Sequence, residues 1–68
     1  MEAKVILETQ AGMWITVIEK PVAICDALRF YFKTGAIIKC VSLDGLVLWS
    51  GLGTEKRLSL RELQEFFL

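Results

Sequence analysis

Two thiols, Cys25 and Cys40, stand in a 68-residue chain that contains no histidine. Without imidazole the commonest general base is missing, and proton transfer would fall to carboxylates, lysine or the thiols themselves. Two separated cysteines cannot complete a tetrahedral zinc site unless carboxylates or other subunits contribute ligands. Cys25 falls on the apolar side of a predicted helix with no base beside it, whereas a nucleophilic thiol needs access and a depressed pKa. Asp26 and Glu62 are the carboxylates best placed on helices. Asp26 reads as a surface charge near Arg29, and Glu62 as part of a helix cap. We therefore expect no catalytic residue, no metal and no cofactor, and both cysteines reduced and buried.

Gly51-Leu52-Gly53-Thr54-Glu55-Lys56 pairs glycines with a lysine, as phosphate-binding loops do. It lacks the spacing G-x-x-x-x-G-K-[ST], and no helix starts directly after it. It reads as a polar connection that can also touch a partner. Trp14 and Trp49 carry more information. Aromatic rings on an uncovered sheet face can stack on single-stranded bases, but such sites also need cations to track the phosphates. Within the strands only Lys4 and Lys39 are available. Lys56, Arg57 and Arg61 make the compact basic cluster, diluted by Glu55, Glu62 and Glu65. Eight basic and eight acidic side chains cancel, which removes the long-range attraction most nucleic-acid binders exploit. Packing or association is the preferred role for the tryptophans.

The elements that must position these residues follow from period and turn chemistry. Lys4–Thr9 and Met13–Glu19 are β-rich runs separated by Gln10-Ala11-Gly12, a three-residue hairpin loop with Gly12 at the left-handed position. In that register Leu7 pairs with Ile15 and Val5 with Val17. Val5, Leu7, Met13, Ile15 and Val17 form the expected core face; Lys4, Ile6, Glu8, Trp14, Thr16 and Ile18 form the other. Pro21 suits the first turn of a helix over Val22–Lys33. Ile24, Cys25, Ala27, Leu28, Tyr31 and Phe32 form its apolar stripe, and Gly35 fits just past its end. Asp44-Gly45 then predicts a two-residue type I′ turn in a second hairpin. Strict alternation pairs Val41 with Leu48 and Cys40 with Trp49. It assigns Val41, Leu43, Leu46, Leu48 and Lys39 to the core side, and Ile38, Cys40, Ser42, Val47 and Trp49 to the outer side. Ser59-Leu60-Arg61-Glu62 is a capping box with Leu58 and Leu63 at the staple positions, opening a final helix of about ten residues.

The order is ββαββα: an α+β class, one domain over 1–68, with a four-stranded antiparallel sheet and both helices on one face. The halves resemble each other. Ala11–Trp14 corresponds to Asp44–Val47 and Ala27–Phe32 to Glu62–Phe67, so a tandem ββα duplication is one reading and chance is the other.

Hydrophobic residues make up 54% of the chain and mean hydropathy is +0.52. A domain this small has little interior, so the surplus is expected at a subunit interface or partner groove. No uncharged run reaches the length of a membrane span, and Glu2 and Lys4 argue against a signal peptide. With reduced thiols, this places the chain in the cytoplasm with no membrane contact. The expected function is a non-enzymatic interaction, regulatory or adaptor module. It would self-associate as a dimer or ring, or bind a protein partner, through an apolar sheet face or an edge strand. The residues expected at that interface are Ile6, Trp14, Ile18, Ile38, Val47 and Trp49. The alternatives are a nucleic-acid-binding regulator using Lys56, Arg57 and Arg61, and a small-ligand-binding oligomer with a pocket between helix and sheet.

Overall fold

The computed structural model describes residues 1–67. Its elements run β1 (Ala3–Glu8), β2 (Trp14–Glu19), α1 (Ile24–Lys33), β3 (Ile37–Leu43), β4 (Leu46–Ser50) and α2 (Leu60–Glu65). The strands form one antiparallel sheet in the order β2-β1-β3-β4, and the α+β, ββαββα architecture is as expected. Each half contributes one central and one edge strand, the arrangement that a repeated ββα unit would give.

The turns follow their local chemistry. Gly12 has φ +84°, and the loop before it is closed by Thr9 N–H donating to the Met13 carbonyl at 2.8 Å. Val5 pairs with Val17 and Leu7 with Ile15, the register that this loop dictates. Asp44 (φ 48°) and Gly45 (φ 85°) both adopt the left-handed values of a type I′ turn. The Asp44 Oδ1 also accepts from the Glu2 N–H at 2.7 Å, which ties the start of β1 to this hairpin. Regular helix starts at Ile24, two residues later than predicted. Pro21 sits in a preceding turn closed by Ala23 N–H and the Lys20 carbonyl at 2.9 Å.

Ala3, Val5 and Leu7 of β1, Ile38 and Val41 of β3, Ile24 and Leu28 of α1, and Leu58 and Leu63 around α2 form the buried core together with Ala36. Both helices cover the same side of the sheet. Met13, expected among the core residues, is 64% exposed at the hairpin tip.

Two bulges reorder the second hairpin. Lys39 is an extra residue between Ile38, which faces Leu7, and Cys40, which faces Ile6. Leu48 is an extra residue between Val47, which faces Ser42, and Trp49, which faces Val41. Each insertion reverses the alternation beyond it. Ile38 is consequently 2% exposed in the core, Trp49 packs against the same core, and Lys39 turns to the outer side. Cys40 pairs with Ser50, not with Trp49. Strict period-two reading placed Ile38 and Trp49 on the outer face; both are corrected here.

Gly51 makes the Trp49 position workable. It is buried, and a Cβ added there would run into the six-membered ring of Trp49. Replacing Gly51 with alanine should displace the indole and cost about 1–3 kcal/mol. The expected readouts are an altered near-ultraviolet circular dichroism band and a lower denaturation midpoint.

The α2 cap forms as predicted. Glu62 N–H donates to Ser59 Oγ at 3.1 Å and Ser59 N–H donates to Glu62 Oε1 at 3.0 Å. Leu58 and Leu63, at the staple positions, are both buried. Regular helix stops at Glu65, so α2 is shorter than expected; Leu68, the end of the predicted segment, lies outside the described residues. The Ser59 backbone N–H, and then its hydroxyl, hold the Glu62 carboxyl below the usual glutamate range. A carboxylate whose pKa falls on folding contributes stability above its unfolded pKa and loses it as pH drops through the folded value. The gap in melting temperature between the parent and Glu62→Ala should therefore be full at neutral pH and close in acid below the usual glutamate range.

Candidate docking surface

The side of the sheet opposite the helices has no second layer among the described residues. Its side chains fall into three rows across the strands, as the pairings require. The first is Ile18–Lys4–Ser42–Val47. The middle row is Thr16–Ile6–Cys40–Ser50. The third is Trp14–Glu8–Ile37, with Lys39 beside it. Trp14 and Ile18 are each 54% exposed and Val47 is 57% exposed. Ile6, Ile37 and Cys40 are half-buried between their neighbours.

Charge on this face is sparse and ordered. The Lys39 ammonium lies 3.6 Å from Glu8 Oε1, and both side chains are largely covered. Lys4 has no ion-pair partner among the described residues. The result is an apolar field along β2 and the centre of the sheet, one internal ion pair at one end of β1 and one free cation at the other.

Of the six residues expected at an interface, Ile6, Trp14, Ile18 and Val47 share this face; Ile38 and Trp49 do not. Ile37 and Lys39 join it because of the β3 bulge, and Cys40 stays on the side where alternation placed it. Adjacent apolar pairs such as Ile37-Ile38 and Leu48-Trp49 also occur in the unbulged pairing of β1 with β2, so they do not by themselves mark the irregularity. Strict alternation must expel one member of such a pair, and a bulge places it differently.

The other candidates are dispersed. Lys56 and Arg57 line an open cleft of about 440 Å³ with Lys39 and Thr54, while Arg61 lies on exposed helix surface outside it. Lys56 is 3.8 Å from Glu62, so two of the three cations in the cleft already face carboxylates. A second, shallow cleft of about 310 Å³ lies between Pro21, Val22 and Cys25 at the start of α1 and Gln64 and Phe67 at the chain's end. It is formed between helical segments, whereas the ligand reading expected a pocket between helix and sheet. Burial, reinforced by neighbouring Asp26, pushes the Cys25 thiol up against the weaker opposing pull of Arg29, which disfavours the thiolate a nucleophile requires. Asp26 itself is held by Arg29 Nε at 2.9 Å. Both cysteines are free thiols, and no cluster of three potential metal ligands occurs among the described residues. Among the described residues no helix is long and apolar enough to cross a membrane.

Comparison with protein-family models, curated proteins and solved structures yields no match to this chain.

Proposed function

We propose that this chain is a non-enzymatic interaction module that works by docking its open sheet face against a second copy of itself. One observation carries the reading: Ile6, Trp14, Ile18 and Val47 lie on a sheet face that no helix covers among the described residues. Sheets that pack face to face bury such surfaces against each other. Four strands about 4.8 Å apart and six residues at about 3.3 Å give a face of roughly 20 by 20 Å. That is smaller than a standard permanent interface, so the association belongs to the weak, concentration-dependent class. A module of this kind suits a reversible regulatory or adaptor role.

The test is the solution mass by light scattering from about 1 µM to 1 mM, the range that spans weak complexes. A mass rising from one chain toward two or more is expected. A constant single-chain mass across the range would overturn the reading. Nucleic-acid binding is supported by the cleft holding Lys39, Lys56 and Arg57. It predicts salt-sensitive retention on single-stranded oligonucleotides, weakened by Arg57→Ala.

A further inference from the structure

We infer that the two copies meet about a two-fold axis running across the strands along the Thr16–Ile6–Cys40–Ser50 row. The inference rests on the docking proposed above and adds its register. A face-to-face pair of identical surfaces needs an axis lying in the interface, and the same patch must then complement itself. Two directions of that axis keep the strands of the two sheets aligned, and the charges on the face separate them.

With the axis along the middle row, each strand of one copy lies over the same strand of the other, running in reverse. Lys4 then meets Glu8 of the second copy, and Ile18 meets Trp14 of the second copy. Ile6 meets its own mate, as does Cys40. The cation that has no ion-pair partner within one described chain gains a carboxylate. Each Glu8 lies between Lys39 of its own chain and Lys4 of the other, and the apolar residues at the two ends of β2 cover each other. With the axis along the strands instead, Lys4 meets Ser42 and Glu8 meets Ile37 of the second copy. In that arrangement Glu8 keeps its own Lys39, but Lys4 is covered by a hydroxyl that cannot neutralise it, and an unpaired charge is costly at an interface. Sheet twist rotates the two strand sets by about 30°, so the register is tightest over β1 and β3 and loosens toward the edges.

Exchange of charge between copies tests this register. Lys4→Glu places two carboxylates face to face in its homodimer, and Glu8→Lys places two ammonium groups there. Each variant alone should dimerise at least about tenfold more weakly than the parent. An equimolar mixture should recover most of the lost affinity as a heterodimer, because both cross-copy pairs are again of opposite sign, while the Glu8→Lys copy still lacks its Lys39 pair. The thiols provide a second measurement. Packed sheets stand about 10 Å apart, beyond the usual Cα span of a disulfide, about 6 Å, so a short bis-maleimide is the probe. In a Cys25→Ser background it should join two chains through Cys40, and a Cys40→Ser change or an Ile6→Glu change should remove the product. A dimer whose mixture shows no recovery and whose Cys40 is not bridged would overturn the axis while leaving face docking standing. A chain that stays monomeric at every concentration would overturn both.

Discussion

Ile38→Ala is expected to unfold much of the population at moderate temperature, a loss of about 3 kcal/mol for a buried isoleucine cut back to a methyl. Ile38 is 2% exposed, pairs with Leu7 across the sheet and lies in the same core as Ile24 and Leu28. Domains of this size rarely hold more than about 3–5 kcal/mol in reserve, so the change consumes most of what is available. Ile38→Val is the graded control. It should lower stability by about 1 kcal/mol and leave the strength of self-association unaltered. Chemical denaturation of both variants, with light scattering on the valine form, distinguishes core from interface. A stable, fully folded Ile38→Ala protein with weakened assembly would return this residue to the outer face.

That position also marks how far the sequence was legible. Local chemistry was enough for the turns: Gly12, Asp44 and Gly45 adopt the backbone angles their types favour, and the Ser59–Glu62 cap closes both ways. The first hairpin is unbulged along the paired residues of β1 and β2, so alternation read the faces of those paired residues correctly. The second hairpin broke that rule twice, at Lys39 and Leu48. Nothing in a window of six residues says where an extra one will be accommodated. The choice is made by tertiary packing: Ile38 completes the layer with Leu7, and Trp49 reaches the core only because Gly51 leaves room for its ring. The same bulge carries Lys39 to Glu8, an ion pair between residues far apart in the chain that strict alternation had put on opposite faces. Met13 failed for a simpler reason, since a residue at the hairpin tip lies beyond the edge of the helical layer.

Ile6→Glu should abolish self-association at all workable concentrations, because it puts a carboxylate at the centre of the docked faces. Ile6 lies on a central strand between Thr16 of β2 and Cys40 of β3, and in a two-fold pair it meets its own mate. Two like charges would then be enclosed where no cation lies directly opposite. Burying an unpaired charge costs several kcal/mol, and each 1.4 kcal/mol is about tenfold in affinity, so a weakening beyond about a hundredfold is expected. In a single copy the new side chain remains on a face with no covering layer, beside Lys4, and the fold should persist. Trp14→Glu guards against the objection that Ile6 is half-buried. Trp14 is already 54% exposed in one copy, so its loss tests docking with little demand on the core. Both variants should stay monomeric with far-ultraviolet spectra like the parent's. Binding of one folded chain to another also raises stability by mass action. The parent's melting temperature should therefore climb with protein concentration, while those of Ile6→Glu and Trp14→Glu stay flat. A variant that keeps the parent's concentration dependence would move the contact to another surface, with the regular edge of β2 the first to examine.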